Sequence, residues 1–206
     1  MPDAPAYFNA ATGALTDGDA MVALNSTTVT GSVASSIAFR SGYNDAGSNV
    51  GGVHSWSQYM DLMLICYTRS NNNSANDDLM CTFNGDTGDN YDFQGAHASG
   101  TTASGTLLNN RPRAFLGSQF ANSESTGNRF AGCVVTLCDV NSGKNKFMLS
   151  EDFKGDSSNS QFVMLAGNTW RSQEPIIRID LYSNSANFAV GSRIDIFGLL
   201  PRMVMV

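Results

Sequence analysis

The stretch EPIIRIDLYS, residues 174–183, alternates apolar and polar side chains. Ile177, Ile179 and Leu181 fall on one side of an extended chain, and Arg178, Asp180 and Tyr182 on the other. Successive side chains of a strand point to opposite faces, so a period of two predicts a half-buried β-strand and not a helix. The same beat runs through GSRIDIFG (191–198), where Ile194 and Ile196 alternate with Arg193, Asp195 and Phe197. ASSIAFR (34–40) puts Ile37 and Phe39 on one face. QYMDLMLICYTRS (58–70) is apolar on nearly both faces, which predicts a central strand covered on each side.

Further apolar runs occur in RFAGCVVTLCDV (129–140), KNKFMLS (144–150) and SQFVMLAGNTW (160–170). Strands are expected near 20–30, 34–40, 58–69, 78–83, 90–94, 112–117, 129–139, 145–150, 161–170, 175–183 and 192–199. No segment repeats apolar residues at i, i+3, i+4 and i+7, the signature of a helix face. Many short strands separated by Gly, Asn and Ser joints predict an all-β chain, a jelly-roll-like antiparallel β-sandwich. Its expected organisation is an extended N-terminal arm over 1–20, the sandwich over 21–198 and an apolar C-terminal tail over 199–206. Long polar loops are expected at 40–56, 69–78, 94–110 and 117–128, where contact-making residues concentrate.

Composition narrows the function. Only 15% of residues are charged, below the roughly 25% of ordinary soluble domains. The 24 Ser, 20 Asn and 20 Gly take their place and favour turns. A net charge of −6 with no Lys/Arg cluster argues against nucleic acid, whose phosphates require cationic contacts. No apolar run is long enough to span a membrane. The first twenty residues show neither a basic nor an apolar leader pattern, so synthesis in a cytoplasm is expected. Cys66, Cys81, Cys133 and Cys138 sit in apolar runs and read as buried free thiols; Cys133 and Cys138, five apart, face opposite sides of a strand.

The stretch FNGDTGDNYDFQ (83–94) invites a metal-loop reading, but Asn84, Asp86 and Gly88 fall at alternate sites with no Glu following at the twelfth position. Asn84-Gly85 is instead a type I′ hairpin signal, with Gly88 a second left-handed position. His54 and His97 lie apart in Gly-rich loops and do not make a zinc site with the strand cysteines. There is no G-x-S-x-G elbow, and no pair of the 18 acidic residues is singled out for glycoside chemistry. No enzyme, cofactor or metal is therefore expected. Trp56, Asp86, Asn90 and Tyr91 are the candidate ligand or partner contacts, since aromatic rings beside Asn and Asp loops hold sugars; the alternative is that Trp56 and Trp170 cap the core. Leu199, Leu200, Met203 and Val204, on the apolar tail, are the candidate subunit interface.

TVTGSVASSIAFRSG, the run QYMDLMLICYTRSNNNSANDDLMCTFNGDTGDNYDFQ and the closing GSRIDIFGL together resemble an uncharacterised group of tailed-bacteriophage virion structural proteins. The matching elements are Ser36 to Phe39, Tyr59 to Leu62, the Asn84–Tyr91 turn and Ile194 to Gly198, spread over residues 25–198; an extra Gly-rich stretch, 42–55, precedes Tyr59. The resemblance implies a jelly-roll module on the virion surface with no catalytic residue. The first expectation is a capsid decoration (cement) protein, a homotrimer bound to major capsid or tail proteins. The alternatives are a receptor-binding tail-fibre head that recognises a host glycan, and a jelly-roll carbohydrate-active enzyme.

Overall fold

In the computed structural model the alternating segments become strands of two antiparallel sheets laid face to face. The structure describes residues 7–9, 14–16, 21–72, 77–117, 129–155 and 161–200. In chain order the strands are β1 (Tyr7–Asn9), β2 (Ala14–Thr16), β3 (Met21–Thr28), β4 (Ser36–Arg40) and β5 (Asp61–Thr68). Then come β6 (Leu79–Phe83), β7 (Tyr91–Ser99), β8 (Thr102–Arg111), β9 (Ala114–Gly117) and β10 (Ala131–Cys138). The last four are β11 (Lys146–Gly155), β12 (Gln161–Trp170), β13 (Arg178–Ser183) and β14 (Arg193–Leu199). Eight of them form one sheet in the order β3-β14-β5-β10-β11-β12-β7-β8, and four form the other in the order β4-β13-β6-β9. The protein is thus an all-β, jelly-roll-like sandwich.

The core is made by alternation. Ile37 and Phe39 of β4 and Ile179 and Leu181 of β13 face Leu64, Cys66, Val135, Ile194 and Ile196 of the larger sheet, and all are buried. Each such side chain contributes about 1.5–3 kcal/mol when removed from water. A smaller cluster of Phe93, Phe162, Met164 and Ala166 lies under β9, where Phe93 meets Phe115 edge-on at 4.8 Å. Trp56 and Trp170 are both buried in the main cluster.

Several expectations are corrected. Ile177 does not share the buried side of Ile179 and Leu181: it is exposed, and Ile176 takes the core position. The cause is Asn84, whose Oδ1 accepts both the Ile177 and Arg178 N–H groups and offsets the chain before β13 starts. Residues 94–110 are not a loop but most of the β7–β8 hairpin. Its small residues, such as Ala96, Ala98, Ala103 and Gly105, carry no β signal of their own; pairing of β7 with β12, with Ala96 opposite Leu165, makes them strand. His97 therefore sits on a strand, stacked 5.4 Å from the Phe162 ring. β5 is central in its sheet but is covered on one side only, for Ile65 and Tyr67 are exposed.

At the N-terminus, β1 and β2 pair with each other as a separate two-stranded sheet within the expected arm. Met203 and Val204, named as interface candidates, lie outside the described residues. None of the described helices is long and apolar enough to cross a membrane.

Candidate functional site

The Asn84–Tyr91 segment is a built turn. Asn84 and Gly85 have φ of 53° and 74°, and the Asp86 N–H donates to the Phe83 carbonyl at 2.8 Å, as a type I′ turn requires. It does not close a hairpin, because β6 belongs to the smaller sheet and β7 to the larger one. Gly88 does not take the left-handed backbone expected of it; a Cβ there would sit 2.9 Å from Asn90 Nδ2.

Asp86 is the centre of this turn. Its Oδ2 accepts the Trp170 indole N–H at 2.8 Å and Asn90 Nδ2 at 3.0 Å, and its Oδ1 accepts the Gly88 N–H at 2.9 Å. Burial alone would raise its pKa, but the hydrogen bonds from Trp170, Gly88 and Asn90 outweigh it and hold the carboxyl below its ordinary value. The Tyr91 hydroxyl donates to the Asp86 carbonyl at 3.1 Å and accepts the Phe83 N–H at 3.0 Å. Burial keeps that phenol above its usual range. Nearby, Arg171 grips both oxygens of Asp92 at 3.0 and 2.9 Å and also reaches Asn110.

Asp86, Asn90 and Tyr91 are therefore brought together, but around a ring that offers no face to a ligand: Tyr91 is 1% exposed. Trp56, 2% exposed, sits on a single-turn 3-10 helix, Trp56–Gln58, tied by its N–H to Ser41 Oγ and by its carbonyl to Asn141 Nδ2. Both rings serve the core. Leu199 ends β14 and is half-buried, and Leu200 packs against the sandwich's own core.

Three thiols meet between the sheets. Cys133 of β10 stands opposite Cys66 of β5, and Cys81 comes from the facing sheet. Cys133 is held well above the ordinary thiol pKa by its Cys66 neighbour and by burial; Cys81 is raised by burial first. Cys138, expected to be buried with the others, is exposed because it ends β10 on the outward side. Among the described residues no group of His, Cys, Asp and Glu could hold a metal.

Two features went unforeseen. One is a cleft of about 550 Å3 where the 40–56 loop meets the β3–β14 edge. Asn25, Ser26, Asn44, Asp45, His54, Arg193, Asp195 and Phe197 are among its lining residues. His54 Nδ1–H donates to the Leu24 carbonyl at 2.7 Å, the Ser26 N–H to Asp45 at 3.3 Å, and Arg193 Nε to Asp195 at 2.9 Å. A ring beside polar donors and acceptors can hold a polar ligand. The alternation places Arg193, Asp195 and Phe197 outward, but nothing local in the sequence says that the 40–56 loop folds beside them.

The other feature is the outer face of the eight-stranded sheet. Val134 lies between Ile65 and Glu151, Glu151 is opposite Leu165, and Phe153 lies between Gly132 and Val163. Ile65, Tyr67, Val134, Phe147, Leu149, Phe153, Val163 and Leu165 are 38–58% exposed there. Glu151 is the one charged side chain on the outward sides of β10, β11 and β12. The outer face of the four-stranded sheet is different. Arg178 pairs with Asp180 at 2.7 Å, and Arg113 lies 5.0 Å over the Tyr182 ring. The outward side of the smaller sheet thus carries charged side chains, where that of β10, β11 and β12 is mostly apolar.

No known protein family matches the chain, and no curated protein sequence matches it.

Proposed function

We propose that this protein is a non-enzymatic structural protein of a tailed-bacteriophage virion, an external capsid decoration protein that holds to neighbouring subunits. The observation that carries this reading is the apolar outer face of the eight-stranded sheet. Contiguous exposed apolar surface beyond a few hundred Å2 marks an interaction site on a soluble protein. The low charge and the resemblance of residues 25–198 to virion proteins support the same reading.

Antibody against the chain, applied to purified virions of the phage that encodes it, tests this reading. Decoration of the capsid is expected, and particles free of the protein would overturn it. Label confined to the tail tip would transfer support to a receptor-binding head. That second reading is favoured by the cleft at Asp45, His54, Arg193 and Phe197, not by the turn at Asp86. It predicts glycan binding that Asp45→Ala abolishes, and a glycan array without binding at millimolar sugar would remove it.

A further inference from the structure

We infer that the apolar face of the eight-stranded sheet is closed by a second copy of this chain, in a two-fold dimer that sets Glu151 of each copy against Arg193 of the other. This inference rests on the reading of that face as adhesive, and it goes on to name the occupant and the geometry.

The face has the size that a second copy needs. The strands from β3 across β14, β5, β10 and β11 to β12 are six neighbours in the sheet. At about 4.8 Å between strands and about 3.4 Å per residue over seven residues, they present roughly 700 Å2 in plan. Each partner in a standard-size interface gives about 800 Å2.

Its charges also suit a second copy. Covering the face dehydrates Glu151, and a lone buried carboxylate is costly unless a cation meets it. Arg193 stands on the same outward side of the sheet, with its side chain 57% exposed. It holds Asp195 through Nε and Nη2, and the planar guanidinium has further N–H groups on Nη1. Glu151 is in register with Val134, Ile65 and Asp195, so Arg193 is displaced from it by three strands and two residues.

Symmetry joins the two. When two sheet faces stack by a two-fold rotation, the axis lies in the plane between them, and a residue on one side meets the residue mirrored across it. An axis drawn over the midpoint of Glu151 and Arg193 passes above Ile65, Tyr67 and Val134, between β5 and β10. Because Arg193 is offset from Glu151 by two residues as well as by three strands, the axis that exchanges them runs at about 25° to the strands, and the strands of the two copies cross at about 50°; an axis parallel to the strands would instead set Glu151 against Asp195. Glu151 of each copy then meets Arg193 of the other, so the contact forms twice, with apolar residues between. A three-fold ring, the expectation from the resemblance, would set this face against a different patch and leave the complementarity unused.

Sedimentation velocity from about 1 to 100 µM tests this directly. The expected result is a monomer–dimer equilibrium. Val134→Asp, at the axis, yields monomer. Glu151→Arg or Arg193→Glu alone weakens the dimer at least about tenfold, and the double exchange E151R/R193E restores it to near the wild-type affinity. Circular dichroism and melting curves check folding, and Leu165→Lys replaces Val134→Asp if that variant unfolds. A wild-type monomer at the highest concentration, a trimer, or a dimer indifferent to Val134→Asp would overturn the inference. Dissociation by Val134→Asp without restoration in the double exchange would overturn the Glu151–Arg193 pairing and leave the face adhesive. Absence of the protein from virions would bear on the proposed function alone.

Discussion

The indole N–H of Trp170 donates to Asp86 Oδ2 at 2.8 Å, which ties the last residue of β12 to a turn 84 positions earlier. The turn is thereby fixed to the larger sheet just after leaving the smaller one. Asp86→Ala leaves the Trp170 and Gly88 donors without their acceptor, and we expect a loss of about 1–3 kcal/mol in urea unfolding at pH 7. The folded pKa of Asp86 is depressed, so its contribution is full above the ordinary carboxylate range and is lost as pH falls through the folded value. The deficit of Asp86→Asn should accordingly shrink in acid; a deficit that grows below about pH 4 contradicts the account.

Asp78 has the opposite sign. Burial first, and then the charge of Asp77, push its pKa up to about 7, against the partial relief of Lys154. A raised carboxyl favours the folded state while it stays protonated, and that advantage is lost as pH rises from about 4 to about 7. Asp78→Asn should therefore melt higher than wild type at pH 8 and at about the same temperature at pH 4. Equal melting curves at pH 8 would show that the carboxyl is not so strained.

Much of the sandwich is legible in the sequence, because the period of two is set by backbone geometry and needs no knowledge of partners. Ile194 and Ile196 face the core as their alternation requires, and Asn84-Gly85 makes the left-handed turn its residues favour. What is not legible depends on distant chain. β8 is strand through its pairing with β7, and Ile177 is outward because Asn84 captures its N–H from 93 positions away. The doubly apolar β5 shows the limit best. Sequence reports that both sides avoid water; it does not say whether this chain or another covers the second side. For the candidate site, Asp86, Asn90 and Tyr91 do converge, but a sequence does not reveal that Tyr91 turns inward.

Gly198 has a packing reason. A Cβ there would lie 2.5 Å from the ring of Tyr59, which is buried against β14. The ring cannot yield without leaving the core, so Gly198→Ala should cost roughly 1–3 kcal/mol. Urea unfolding checks this; a neutral result would place Tyr59 elsewhere.

The thiols give a simple chemical test. Cys138 is exposed, whereas Cys66, Cys81 and Cys133 are buried. Among these four, the native protein should expose one fast-reacting thiol to a disulfide reagent, and the other three should react only on unfolding. Cys138→Ser should remove the fast phase. Persistence of that phase in the variant would mean that the two sheets open readily.

Hydroxyl-radical footprinting at high and low protein concentration asks whether the outer face of the eight-stranded sheet is a contact surface. Phe147, Leu149, Phe153 and Leu165 should be protected when the protein is concentrated and become reactive on dilution, while Tyr182 on the opposite sheet stays equally reactive throughout. Oxidation of all five that does not change with concentration would contradict the account.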